Sequence, residues 1–514
     1  MPVPRLHAVI HIGAHSIRMI VAERQARNDY RVLDHLQVPL LLGQDTFTRS
    51  AIGHSLIRDT IQSLRGFQQA LASYGNVNTT VIATSAVREA TNRETFIDRV
   101  QQATGLRIEV IEPMEETRLI HRLVHHLVGD RFGMTKGTTM VLSLGGGGSQ
   151  IIMFRDGQVV FSESRRVGTV RLRGMLGNDG QMLGEDLDLF VTNVAQTYGL
   201  LNDMGIIDTF VVVNNTLHDL LPQFVPVRQH RGAFTAPCKA IRELTARIGE
   251  LTPMEIQRML NLGNDDAEMM IVALMQVSAF LGITRSNRVV IPDATFIDAI
   301  VIDELIGEKA EDVRQFSMQV ESAALHLGRK YRFHEAHALQ VRMLAQQLFD
   351  QLADFHGMPV RSRLHLGVAA LLHDIGWFVS AQSHHKHAAY IINNSEILGL
   401  DEEERQVVAL VARYHRRSAP RITHPEFAAL PPARRSDVLK LASLLRLADG
   451  LDRDLSQVVE RLRTEVHDDA VLVEVTLPLR AHHAMTVLER AFASKAQLFV
   501  ETFGTPVKIR FRTR

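Results

Sequence analysis

At 514 residues the chain exceeds what one hydrophobic core supports and divides into roughly three domains. Lys plus Arg equals Asp plus Glu at 57 each, with 46% hydrophobic residues. This is ordinary globular composition, so nothing global points to nucleic acid or an anionic membrane, and any anion site must be a local patch. The single cysteine, Cys238, excludes an internal disulfide and fits a reducing compartment. No apolar run is long enough to span a bilayer, and the N-terminus lacks a signal-peptide pattern. The expectation is a soluble, cytoplasmic protein. Histidine is the unusual component: 14 of 24 lie after residue 320, and histidine is the commonest metal ligand.

In chain order, residues 7–22 read as strand, tight glycine turn at Gly13, strand. A strand near 30–39, a helix over about 53–74 and a short buried strand at 81–84 follow. Ser85 starts a helix with Arg88, Glu89 and Asn92 on its first turns. After a strand at 106–111, a helix over 115–128 opens with Glu115 and Glu116, acids that suit a helix N-terminus. Apolar residues 139–142 then lead through Gly145, Gly146, Gly147, Gly148 and Ser149 into apolar residues 151–154. Backbone amides without a neighbouring Cβ can approach a phosphate directly, and a glycine-rich hairpin turn is the plain alternative. This stretch opens a second unit with the grammar of the first. Its strands lie at 158–162 and 209–213, and its helices at about 184–198 and 267–283. Two copies of one layout suggest a duplicated α/β domain with a ligand cleft between lobes.

Around residues 306–315 the pattern changes to amphipathic helices over about 317–328, 335–355, 362–376, 386–398, 402–417 and 435–449, an all-helical domain. The tail returns to strand (470–478), helix (482–497) and strand (507–512). The expected domains are lobe I at 1–135, lobe II at 136–308, a helical domain at 309–465 and an α+β cap at 466–514.

Thr84-Ser85-Ala86-Val87-Arg88-Glu89-Ala90-Thr91-Asn92 resembles the T-S-A-x-R-x-A-x-N element of the exopolyphosphatase / guanosine pentaphosphate phosphohydrolase (Ppx/GppA) family. Residues 115–120 are similar to its E-E-A-R-L-I, and residues 164–172 to its G-x-V-R-L segment. His384-His385-Lys386-His387 and residues 412–417 resemble its C-terminal domain. The resemblance covers nearly the whole chain. It implies a two-lobed actin/Hsp70-like (ASKHA) domain, then an all-α HD-type domain and a small α+β tail, in a homodimer. It also implies release of phosphate from polyphosphate or guanosine pentaphosphate with magnesium. Glu116 matches the general base, and Gly13, Ser16, Arg88 and the Gly145–Ser149 turn match the phosphate-binding loops.

Departures from the family pattern are chemical. The first turn, D-x-G-S-N-S in the family, reads His11-Ile12-Gly13-Ala14-His15-Ser16. In the second, Ser143 and Gln150 stand where the family has aspartate and glutamate. Asn214-Asn215-Thr216 replaces a G-G-T turn, and residues 296–299 replace L-R-E-G. A hard cation such as Mg²⁺ needs carboxylate oxygens. Losing them leaves two readings: catalysis is lost from this cleft, or His11 adapts it to a softer metal or touches phosphate itself. Loss is favoured, because several loops changed while Glu116 stayed.

The helical domain goes the other way. His337, His373-Asp374, His387, His415 and Asp449 follow the order H, HD, H, H, D, which resembles HD enzymes that hold two metals. Residues 369–376 are mostly apolar, and burying His373-Asp374 there is costly without a partner. The plain alternative is a set of hydrogen-bonded core histidines. Imidazole with carboxylate suits Mn, Fe, Zn or Co, with Mg possible, and two cations can clamp a phosphate for in-line displacement. His384, His385, Lys386, Arg413, Arg416 and Arg417 add a cationic surface for a polyanion, or else a solvated helix face. Trp377 and Phe378 read as packing, with base stacking the alternative. The expectation is therefore a phosphohydrolase acting on polyphosphate, guanosine polyphosphates or nucleotides through Asp374 more than Glu116. The alternatives are a regulatory pseudoenzyme that binds such a ligand without turnover, and a cleft-based exopolyphosphatase.

Overall fold

The computed structural model describes residues 6–26, 29–75, 77–132, 134, 136–175, 207–249, 251, 253–284, 286–306, 310–416 and 418–513. The expected helix at 184–198 and Arg417 lie outside the described residues. Among the described residues no helix is long and apolar enough to cross a membrane. The chain forms two compact units, Met1–Val313 and Arg314–Arg514.

The first unit holds two sheets built on one plan. In the first, β1 (Leu6–Ile12), β2 (Ser16–Ala26) and β3 (Asp29–Pro39) form an antiparallel meander. β4 (Asn78–Ala83) and β5 (Ile108–Val110) add in parallel beyond β1, giving the order β3-β2-β1-β4-β5. In the second, β6 (Thr138–Leu144), β7 (Ser149–Arg155) and β8 (Gln158–Arg165) repeat the meander. β9 (Thr209–Val213) pairs with β6 as β4 pairs with β1. A further hairpin, β10 (Arg228–His230) with β11 (Ala233–Pro237), extends this sheet through β12 (Arg288–Pro292). Sequence patterning missed that hairpin and the helices Cys238–Gly249, Pro253–Leu260 and Phe296–Ile306.

Burial explains the patterns. β6 is covered on both faces and reads as a continuous apolar-and-threonine run, whereas edge strand β3 alternates half-buried with exposed residues. Ile10, Met19, Leu64 and Phe96 centre the first lobe's core, and Met140, Phe210, Val212 and Leu274 the second's.

The second unit packs helices Glu335–Gln351, Val360–Leu372, His384–Asn393, Glu402–Arg413 and Pro432–Gly450. A three-stranded sheet follows, of β13 (Arg461–Val466), β14 (Val471–Leu477) and β15 (Val507–Thr513). Val341, Leu371, Leu410 and Leu444 of the helices share one core with Val473 and Phe499 of the tail. Strand β13 precedes the expected tail. The helix expected to run to 376 ends at Leu372, and His373-Asp374 occupy the turn into a short 3₁₀ segment, Ile375–Phe378.

Helix Glu402–Arg413 starts with a capping box of Asp401 and Glu404. Glu404 also accepts from Arg361 Nε at 2.7 Å and lies 3.0 Å from Nε2 of the buried His365. Burial alone would raise the Glu404 carboxyl, but Arg361 and His365 prevail and hold it below the usual carboxylate range. Glu404→Ala is expected to cost about 2 kcal/mol in chemical denaturation, because it strands both partners. The wild-type advantage is complete above the unfolded glutamate value of about 4.3 and is lost as pH falls towards the depressed folded value.

Candidate metal centre and inter-lobe cleft

In the first unit the expected phosphate-binding residues Ser16, Arg88 and Ser149 are engaged by neighbouring protein groups. The Gly13 N–H closes its turn on the Ser16 carbonyl at 3.0 Å. Ser16 Oγ accepts from Nε of the buried Arg18 at 3.3 Å, and Asn215, with its amide turned to accept, takes Arg18 Nη1 at 2.6 Å. Arg88 donates to Glu116 Oε1 at 2.6 Å and to the Ile111 carbonyl, while Gln150 Nε2 donates to Glu116 Oε2 at 3.1 Å. Both oxygens of the candidate base are thus engaged. Burial raises the Glu116 carboxyl, offset only in part by Arg88 and Gln150.

The four-glycine turn closes with Gly145 N–H on the Gly148 carbonyl at 2.9 Å. Its reason for lacking side chains is packing: a Cβ on Gly146 would lie 2.8 Å from Ala14 Cβ, and one on Gly147 would meet Ser85 Oγ and Phe47. Ser149 Oγ donates to the Val167 carbonyl. His11 sits against Thr84 Oγ1 at 3.3 Å and edge-on to Phe296. Burial, helped by Arg18, pulls its pKa to about 3. His11 is therefore a neutral imidazole that brings no positive charge to a phosphate. Among the described residues no group of three or more metal-ligand side chains forms in this cleft.

The second unit holds two such groups, His337–His373–Asp449 and Asp374–His384–His415, with ligand atoms within 4.8 Å in each. Asp374 faces both. Its Oδ2 lies 4.0 Å from His337 Nε2 and 3.6 Å from His373 Nε2. Its Oδ1 lies 3.3 Å from His384 Nε2 and 3.4 Å from His415 Nε2. Asp449 Oδ1 approaches His337 Nε2 at 3.6 Å and His373 Nε2 at 3.8 Å. Every ring is oriented from behind. Nδ1 of His373, His384 and His415 bonds the carbonyl three residues earlier, at 2.8, 3.1 and 2.6 Å, and His337 Nδ1 bonds Asp452 Oδ2 at 2.7 Å. Four Nε2 atoms consequently converge on two carboxylates, with the tautomers set by their outer partners.

Electrostatics follow the geometry. Burial would raise both carboxyls, but neighbouring imidazoles hold Asp374 low, and Lys495 with His337 and the other histidines holds Asp449 well below the usual carboxylate range. Burial lowers His415 to about 3. At His337 burial is overcome by Asp449 and Asp452, and its pKa rises to about 9. Lys495 Nζ pairs with Asp449 Oδ2 and donates to the His415 carbonyl at 2.9 Å.

Five of the six expected ligands, His337, His373, Asp374, His415 and Asp449, meet here. The sixth does not. His387 lies outside both groups, and buried His384 takes the place expected for it, because the helix begins at His384 and turns that residue inward. Asp452 and Lys495 were not foreseen. Lys386 is exposed and Arg416 half-buried, and neither has a carboxylate partner among the described residues. Together with Arg413 they lie close enough that their charges, added to burial, lower His385 to about 4. Replacing the outer partner, Asp452→Asn, is expected to weaken metal affinity about 10–100-fold in competition with a chromogenic chelator.

Comparison with known proteins finds matches in both units. The model of the Ppx/GppA phosphatase family matches residues 20–203, and that of Ppx/GppA phosphatase domain III matches residues 320–489. An exopolyphosphatase from Cytophaga hutchinsonii is similar over 59% of this chain and all of its own, at 17% identity and TM-score 0.53. An exopolyphosphatase-like protein is similar over 58% of this chain and 98% of its own, at 21% identity and TM-score 0.50. The Aquifex aeolicus Ppx/GppA family member follows at 19% identity and TM-score 0.49, covering 59% of this chain and 98% of its own. The first two likenesses show the fold, an actin-like (ASKHA) α/β architecture of mixed sheets. With two models of one family matching successive parts of it, the chain belongs to the Ppx/GppA phosphatase family.

Proposed function

We propose that this chain is a metal-dependent phosphohydrolase whose chemistry lies at an HD-type dinuclear centre in its second unit rather than in the inter-lobe cleft. The observation that carries the reading is the convergence of four oriented imidazole Nε2 atoms on Asp374 and Asp449. The donor set fits Mn, Fe, Zn or Co, with Mg possible. Buried His373 Nε2 has no hydrogen-bond partner among the described residues, an arrangement that is costly unless a cation takes the lone pair. His337, His373 and Asp449 would hold one cation, His384 and His415 another, with Asp374 shared. Bound there, two cations would supply Lewis acidity to a phosphoryl oxygen. Asp452 and the backbone carbonyls keep the rings aimed, and Lys386 and Arg416 offer charge to the remaining phosphates. The substrates proposed are inorganic polyphosphate and guanosine polyphosphates or other nucleotides. A homodimer is part of the same proposal.

The cleft supports a second reading, a regulatory protein that binds such a ligand without turnover. Its basis is that Glu116, the one candidate base in the cleft, already has both carboxylate oxygens engaged, by Arg88 and Gln150, which speaks against turnover there. Elemental analysis of the purified protein, with phosphate release from polyphosphate, pppGpp and nucleotides, separates the two. The enzyme reading expects about two transition-metal ions per chain and turnover that a chelator abolishes. Absence of metal together with no turnover in added Mn²⁺ or Mg²⁺ supports the binder.

A further inference from the structure

Trp377 is the only tryptophan in the chain and stands three residues after Asp374, on the 3₁₀ segment that leaves the cluster. Its indole stacks on the His384 imidazole, with centroids 4.7 Å apart and planes 20° from parallel. Nε2 of that same imidazole faces Asp374 Oδ1 at 3.3 Å. The indole is therefore fixed at the rim of the cluster while 53% of the residue stays open to solvent, and the adjacent Phe378 and Val379 are 55% and 56% exposed. Phe378 is held edge-on by Tyr331 at 5.3 Å. Three consecutive exposed apolar residues therefore stand beside a polar centre. Two cations without carboxylate partners among the described residues, Lys386 and Arg416, lie near His385, the residue that follows the stacked His384.

A flat aromatic face, a cationic rim and a cluster suited to phosphate chemistry match the parts of one ligand, a nucleoside polyphosphate. We propose that Trp377 is the base platform of this site, stacking the nucleobase of a nucleotide whose phosphates lie toward Lys386, Arg416 and the cluster. This deepens the proposed phosphohydrolase function and rests on it for the position of the phosphates. Inorganic polyphosphate has no ring to stack, so Trp377 would select nucleotides over it.

Because the chain has one tryptophan, its fluorescence reports on this position alone. Metal-loaded full-length protein is titrated with the hydrolysis-resistant guanosine β,γ-imidotriphosphate and, separately, with inorganic tripolyphosphate. Saturable quenching by the nucleotide but not by tripolyphosphate is expected. In steady-state assays, Trp377→Leu should lower the kcat/KM ratio of GTP to tripolyphosphate about tenfold, and Trp377→Phe should largely restore it. A merely structural role would not move that ratio. Equal quenching by both ligands, no quenching while dialysis shows nucleotide bound, or no nucleotide binding at all would overturn the platform. So would an emission change that follows protein concentration instead of nucleotide, which would assign the patch to a second copy of the chain. If quenching occurs but no substrate is hydrolysed, the platform stands and the catalytic reading fails.

Discussion

Asp374→Asn is expected to remove bound metal and to lower phosphate release by at least about 10³-fold, with the fold retained. Among the described residues Asp374 is the one side chain that faces all four imidazoles, through Oδ2 on one side and Oδ1 on the other. The amide keeps the shape but loses the charge, and one of its ends becomes a donor aimed at nitrogen lone pairs. The matching control is Glu116→Gln, which should stay within about threefold of wild type if the chemistry is absent from the cleft. Glu116 already has one oxygen on Arg88 and the other on Gln150. Metal content by elemental analysis and initial rates of phosphate release, measured on both variants, give the comparison. Full activity in Asp374→Asn beside a dead Glu116→Gln would return the chemistry to the cleft.

Much of this was legible in the sequence, and the failures share a cause. The duplicated meander could be read because each copy is local: strand, glycine turn, strand, strand. His337, His373-Asp374, His415 and Asp449 were expected from their H, HD, H, H, D order, which resembles HD enzymes, with His373-Asp374 and Asp449 also standing out on apolar helices. The choice between His384 and His387 could not, since it depends on where their helix begins. Ser383, in the left-handed region at φ 58°, sets that start and turns His384 inward. Asp452 lies past the end of the helix that carries Asp449, and its partner His337 is 115 residues away in sequence. The glycine run was legible as a turn. Its packing on Ala14, Phe47 and Ser85 was not, because those contacts are made by the tertiary fold.

Gly376→Ala should separate the two halves of the cluster. A Cβ at this position would run into the His384 carbonyl oxygen and lie 2.5 Å from the Ala388 nitrogen. Both are backbone atoms of the helix His384–Asn393, so no side chain can rotate away to make room. Relief requires that helix to move, and His384 moves with it. His337, His373 and Asp449 stand on three other segments and keep their outer partners, Asp452, the Ala370 carbonyl and Lys495. The expected result is one tightly held metal ion per chain in place of two, with affinity for the second lowered at least about 100-fold. Stability should fall by about 1–3 kcal/mol, the usual cost of overpacking. Metal titration followed by calorimetry, with thermal unfolding of the metal-free protein, measures both quantities. Retention of two equally tight ions would mean that His384 is not a ligand. Loss of both would mean that the two groups form a single cooperative site, in which Asp374 cannot serve one side without the other.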